Sequence, residues 1–224
     1  MRILIAGAGK MARNVGFFLL RRGMDVVWAD RERDWLAALE KRIGKDLRRL
    51  DFIDGETTTG KASFFSADDG GLPECDCLIE TIEEDAPAKR AIIKALRERI
   101  VEGGPLLTNS SSILPGELGK GVAGAHFFYP VDMTGFVEAI FDEATDGNER
   151  VQVLGFLRSL DLDVIEQGPA NAFAANRLFL PVQNECFKAV MAGVAPNLVD
   201  RASVSEALPA GTLAMMDSIG LDTV

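Results

Sequence analysis

Two stretches of this chain hold residues whose types and spacing could do chemistry. Gly7-Ala8-Gly9-Lys10-Met11-Ala12 matches the G-x-G-x-x-G/A pattern and lies between a strand-like run, Ile3–Ala6, and an amphipathic run, Met11–Arg22. In that setting Gly7 permits a tight turn, Gly9 lets the backbone approach a pyrophosphate, and Ala12 lets the helix sit close to the strand. Lys10, Met11 and Ala12 bring the first helical amides to the phosphates. Asp30 ends the next strand-like run, within the ~20-residue interval at which an acidic side chain reaches adenosine ribose hydroxyls. A carboxylate there repels a 2′-phosphate and favours NAD over NADP, although Arg31 beside it offers a phosphate partner. The other stretch is Ala125-His126-Phe127-Phe128-Tyr129-Pro130, around the chain's single histidine. Imidazole can shuttle protons near neutral pH, and it can equally pack as a hydrogen-bonded ring beside Phe and Tyr.

Short apolar runs alternate with amphipathic ones around these groups. Strands are expected at Ile3–Ala6, Val26–Ala29, Ala62–Ser66, Cys77–Glu80, Leu106–Asn109, Ala123–Phe127 and Val137–Phe141, and helices at Met11–Arg22, Asp34–Leu50 and Pro87–Ile100. That rhythm predicts an α/β fold: a Rossmann-type, mostly parallel sheet with crossover helices. Strand signals stop after Gln167-Gly168-Pro169, and Ala174–Met191 reads as one long helix despite Pro181. The expected division is residues 1–169 as the dinucleotide-binding domain and 170–224 as a small all-helical domain for substrate or dimerisation.

Composition excludes several classes. Asp and Glu number 34 against 24 Lys and Arg, giving a net charge of −10, so long-range attraction to nucleic acid or an anionic membrane is not expected. A phosphate-bearing ligand must be held by local groups. The three cysteines, Cys75, Cys77 and Cys186, lack disulfide or zinc spacing, so no metal site is expected and a reducing, cytoplasmic setting is. Placed in a strand, Cys75 and Cys77 would project to one face. Met1 opens directly into the first strand with no leader-like segment, and no apolar run approaches the ~18 residues of a membrane span.

The motifs, taken in order, resemble those of the 3-hydroxyacyl-CoA dehydrogenase family over nearly the whole chain. His126-Phe127-Phe128-Tyr129-Pro130 is similar to the family's H-F-F-N-P, and Ile79-Glu80-Thr81-Ile82-Glu83-Glu84 followed by Lys89 to its V-E-A-I-x-E…K. Thr108-Asn109-Ser110-Ser111-Ser112-Ile113 resembles S-N-T-S-S-L, Phe136-Val137-Glu138-Ala139-Ile140 resembles L-V-E-V-I, and Ala175-Asn176-Arg177-Leu178 resembles V-N-R-L. The resemblance implies an NAD-dependent oxidoreductase in which His126 is the acid/base and Glu138 its partner. It places Ser111 and Asn176 on the substrate oxygen, with Glu84 and Lys89 near the nicotinamide and ribose.

The departures matter too. Tyr129 stands where the family has Asn, Ser110 replaces a threonine, and Pro209-Ala210-Gly211-Thr212-Leu213 replaces P-x-G-P-F. Leu47–Lys61 is too short for the helical hairpin that commonly covers coenzyme A, and the chain stops after Gly220-Leu221-Asp222-Thr223, where typical members continue with further helices. The expected reaction interconverts a 3-hydroxyacyl-CoA and a 3-ketoacyl-CoA. The alternatives are a free hydroxy-acid or sugar-acid dehydrogenase and a non-catalytic NAD-binding sensor. Apolar Leu178, Leu180, Val182, Phe187 and Val190 on the long helix point to a homodimer.

Overall fold

A computed structural model describes residues 1–54, 59–170, 173–206, 208 and 210–219. Pro209 and the Gly220-Leu221-Asp222-Thr223 stretch, both singled out above, lie outside the described residues, as does part of the 47–61 segment. The chain divides into two compact units, Met1–Asn171 and Ala172–Val224.

The first unit is built on an eight-stranded sheet in the order β3-β2-β1-β4-β5-β6-β7-β8. Its strands are β1 (Arg2–Ala6), β2 (Asp25–Asp30), β3 (Ala62–Ser66), β4 (Cys77–Glu80), β5 (Leu106–Thr108), β6 (Val122–Phe127), β7 (Phe136–Ile140) and β8 (Asp163–Gln167). The order reverses between β1 and β4, and ligands of open α/β sheets bind at the carboxyl ends of strands beside such a reversal. Helices α1 (Lys10–Arg21), α2 (Arg33–Asp54), α3 (Ala86–Leu96), α4 (Pro115–Leu118), α5 (Val131–Thr134) and α6 (Gly147–Arg158) connect them.

Alternation along the strands divides the core into two layers. Ile3, Ile5, Val26, Trp28 and Ile79 pack with Val15, Leu19, Leu36, Leu39 and Ile43 of α1 and α2. Leu4, Val27 and Leu78 pack with Ile92, Ile93 and Leu96 of α3. Helix α1 lies tight on the sheet at two small residues. Ala12 is fully buried and its carbonyl accepts a hydrogen bond of 3.0 Å from Trp28 Nε1. At Gly16 an added Cβ would run into the Trp28 ring.

The sheet is mostly parallel, as expected, and two other expectations need correction. The one antiparallel strand is β7, which runs against β6 because the connection from Phe128 to Gly135 holds only the short α5 and cannot carry the chain back across the sheet. Helix α6 and strand β8, which pairs in parallel with β7, extend the sheet past the last expected strand. Cys75 and Cys77 do not share a face. Asp76 forms a bend before β4 begins, so Cys77 packs in the layer with Ile79 and Cys75 in the layer with Leu78.

The second unit contains α7 (Ala174–Met191), α8 (Pro196–Glu206) and α9 (Thr212–Ile219). Asp200 of α8 caps α9, its carboxylate accepting from the amides of Leu213 at 2.7 Å and Ala214 at 3.2 Å. Thr212 is buried, and its hydroxyl donates to Ser203 Oγ at 2.9 Å.

Candidate active site

The antiparallel step from β6 to β7 creates the pairing on which the site is centred. His126 and Glu138 stand directly opposite each other in the ladder, on side chains that project to one face. Imidazole Nδ1 lies 2.7 Å from Glu138 Oε2. Glu138 is fully buried and His126 is 7% exposed, so the pair sits largely out of water, where a hydrogen bond to a carboxylate is strong. Phe128 tilts against the imidazole with ring centroids 4.3 Å apart, and Phe136 lies 4.8 Å beyond it. The end of β6 is tied to its neighbour by Asn109 Oδ1, which accepts from the Phe127 amide at 2.8 Å.

A second cluster grows from β4. Lys89, buried on α3, donates from Nζ to both carboxylate oxygens of Glu80, at 2.8 and 3.0 Å, and to the Ile82 carbonyl at 3.1 Å. Glu84 Oε2 lies 3.4 Å from the same nitrogen. Thr108 Oγ1 donates to Glu80 at 2.6 Å, and the Ile82 amide donates to it at 2.7 Å. Glu84 gathers the serine run: its Oε1 accepts from the hydroxyls of Ser110 at 2.6 Å and Ser112 at 2.7 Å, and from the amides of Ser111 at 3.0 Å and Ser112 at 2.9 Å. Burial pushes the Glu84 carboxyl upward, but bonds from Ser110 and Ser112 and the charge of Lys89 outweigh it and hold the group below its ordinary range.

The glycine turn lies beside this cluster. Gly7 adopts a φ of +116°, which disfavours any side chain, and a Cβ there would lie 3.0 Å from Thr81 Oγ1. Thr81 in turn donates to the Ala6 carbonyl at 2.8 Å. Gly9 is the N-cap of α1, with no side-chain cap, no acidic residue in the first turn and open space where a Cβ would point. Asp30 ends β2, and its carboxylate accepts from the Glu32 amide at 2.9 Å.

The structure thus brings Gly7, Gly9, Lys10, Met11, Ala12, Asp30, Glu84, Lys89 and Ser111 to the carboxyl edge of the sheet between β2 and β5, with His126 and Glu138 at the end of β6 and start of β7. Asn176 occupies the first turn of α7 in the second unit. Sequence reasoning missed Glu80, Thr108 and Ser110 as parts of the cluster. The signal available for Glu80 was a carboxylate closing the apolar strand Cys77–Ile79 with a lysine on the next helix, a pattern that buried charge tolerates only when paired.

Comparison with known proteins agrees with this arrangement. The family model described as the NAD binding domain of 3-hydroxyacyl-CoA dehydrogenase matches residues 2–168, and the model of that family's C-terminal domain matches 173–224. The chain belongs to the 3-hydroxyacyl-CoA dehydrogenase family. A probable 3-hydroxybutyryl-CoA dehydrogenase of Bacillus subtilis is 30% identical over 237 residues, covering 99% of this chain and 82% of that protein. One from Deinococcus radiodurans is 29% identical, covering 100% and 84%. The crystal structure of FadB2 from M. tuberculosis superposes with a TM-score of 0.86 at 27% identity, covering 99% of this chain and 83% of that one. That of (S)-3-hydroxybutyryl-CoA dehydrogenase PaaH1 from Ralstonia eutropha gives 0.82 at 27%, with 99% and 83% covered.

The family member is an NAD-dependent oxidoreductase. Its own residues fit that cofactor: the positive-φ Gly7, the clear space over Gly9 and the start of α1, which no side chain caps, could hold a pyrophosphate, and the carboxylate at the end of β2 could hold the ribose. Among the described residues no group of His, Cys, Asp and Glu could hold a metal ion, and no helix is long and apolar enough to cross a membrane.

Proposed function

We propose that this protein interconverts a 3-hydroxyacyl-CoA and the matching 3-ketoacyl-CoA, with His126 as the proton carrier. The observation that carries the reading is the 2.7 Å contact between His126 Nδ1 and the buried Glu138 carboxylate. An acceptor at Nδ1 fixes the tautomer in which Nε2 holds the lone pair, and it stabilises the imidazolium that forms when a hydroxyl proton arrives. Bound NAD supplies the hydride acceptor on one direction of the reaction and the donor on the other. In the reductive direction His126 returns the proton to the substrate oxygen.

Ser111 and Asn176 are assigned to that oxygen, Ser111 from the serine run that Glu84 organises and Asn176 from the first turn of α7. Gly7, Gly9, Lys10, Met11 and Ala12 hold the pyrophosphate and Asp30 the ribose. Glu84 and Lys89 support the nicotinamide end, Lys89 by positioning Glu80 and Glu84, since its own ammonium is buried among acceptors. Residues 1–169 serve the cofactor and 170–224 the substrate and a homodimer contact. A species of monomer mass in light scattering at micromolar concentration would exclude the dimer. Cytoplasmic placement is proposed on the three free, buried thiols.

A free hydroxy-acid substrate is the second reading. It is favoured by the short segment between Asp54, where α2 ends, and Ala62, where β3 begins. NADH absorbance followed with acetoacetyl-CoA, acetoacetate and a sugar keto-acid in parallel separates the two. Oxidation with the thioester alone, lost in His126→Ala, is the expected result; turnover of a free acid alone would replace the thioester reading.

A further inference from the structure

Three cross-strand pairs stand in a row on the face of β6 and β7 that carries the acid–base pair. The register sets Gly124 against Ile140 and His126 against Glu138; one step further Phe128, just past the end of β6, meets Phe136, the first residue of β7. Alternate residues of a strand share a face, so the polar pair lies between two apolar ones. On one side Ile140 is fully buried and fills the space over Gly124, where an added Cβ would come within 2.8 Å of it. On the other side the rings of Phe128 and Phe136 lie 4.8 Å apart, tilted by 38°. Phe128 in turn leans on the imidazole, with centroids 4.3 Å apart and a tilt of 54°.

The two apolar pairs differ in exposure. Ile140 is sealed within the sheet, whereas Phe128 and Phe136 are only partly buried, so this face meets solvent at the aromatic pair. A hydrogen bond to a carboxylate is strong in a low dielectric and weakens once water competes for its atoms. Phe128 follows the last paired residue of β6, and its ring is placed by packing on Phe136 instead of by the ladder. The L-V-E-V-I segment that this part of the chain resembles has Leu where Phe136 stands.

We infer that Phe136 is a positioning residue for proton transfer: it holds the Phe128 ring against His126 and so shields the contact between Nδ1 and the Glu138 carboxylate from water. The inference rests on His126 as the proton carrier, but the shield can be read without turnover. Phe136 acts through Phe128 and needs no contact with substrate or cofactor.

His126 is the chain's single histidine, so isotopic labelling of histidine nitrogen in the full chain reports one ring. Exchange of its Nδ1 proton with water is measured by NMR in the protein saturated with NAD⁺. Phe136→Ala should speed that exchange about tenfold or more and slow single-turnover oxidation of NADH by acetoacetyl-CoA about 10–100-fold, with the NADH dissociation constant within about twofold of the wild type. Phe136→Leu keeps an apolar cover and should restore both to within about threefold. Phe136→Thr suits a strand and should behave like the Ala variant, which keeps the test open if Ala disturbs β7. Leu157→Ala is the structural control. Leu157 is fully buried in the core layer with Val137 and Ala139, on the other face of β7, so this variant should lower the urea midpoint and leave exchange and rate within about twofold. Unchanged exchange in Phe136→Ala and Phe136→Thr, equal acceleration in Leu157→Ala, or faster exchange with an unchanged transfer rate would overturn the inference. Faster exchange in Phe136→Ala, with no turnover even in the wild type, would support the shield while removing the acyl-CoA reaction.

Discussion

Two buried acid–base assemblies stand on neighbouring strands of this sheet, and they are built for opposite purposes. Around Lys89 the charges are pinned: one ammonium meets both oxygens of Glu80, the Ile82 carbonyl and Glu84, and Glu80 also takes the Thr108 hydroxyl and the Ile82 amide. Each charge there is held by several partners, and removing one would leave the other buried without its counter-charge. The pair on β6 and β7 joins a single carboxylate to one imidazole, whose Nδ1 is already held by its partner. On the proposed mechanism, one assembly holds the geometry of the site and the other changes state within it.

Substitutions can break that contrast. The largest effect expected is on activity: Glu138→Gln keeps the shape but loses the anionic acceptor, and kcat should fall by about 10²–10⁴-fold in NADH oxidation assays. NADH affinity should barely move. Lys89→Met should do the reverse, costing about 3–5 kcal/mol in urea unfolding because the Glu80 carboxylate is left buried without its cation. If Lys89→Met folds normally and loses only turnover, the division between the two assemblies is wrong. A remote control sets the scale: Asp146 caps α6 in a reciprocal capping box with Glu149, so Asp146→Ala should cost about 1 kcal/mol and leave kcat alone.

The smallest effect concerns Glu84. Its folded-state carboxyl titrates below the ordinary 4.5, so it adds stability that is present above that value and lost as pH falls through the folded value. Glu84→Gln should therefore be less stable than the wild type near neutral pH, and urea midpoints for the two should converge as the pH falls below the ordinary 4.5 and through the lowered folded value. Divergence on acidification would reverse the assigned sign.

Much of this contrast was legible in the residues, but unevenly. The β1–α1–β2 unit was readable because a run of apolar residues, a glycine turn and an acidic strand end follow in strict order, and α7 kept its expected bounds even with Pro181 inside it. The His126–Glu138 contact was available only through the resemblance, since the pairing depends on two strands running antiparallel and in register. Helix α6 and strand β8 escaped notice for physical reasons. In α6 exposed Val151 interrupts the apolar side formed by Val153, Leu154, Phe156 and Leu157, and β8 is an edge strand whose two adjacent apolar residues, Val164 and Ile165, show no alternation. The Glu80 cluster was hidden because a buried carboxylate is intelligible only once its lysine and threonine are seen around it.

The claim that His126 moves the proton in the hydride-transfer step is tested most directly by single-turnover mixing. His126→Ala loaded with NADH is mixed with excess acetoacetyl-CoA, and the decay of NADH absorbance is compared with that of the wild type. The account predicts a first-order rate slower by about 10²–10⁴-fold with the NADH dissociation constant within about twofold of the wild type. Decay at the wild-type rate in the variant would contradict it.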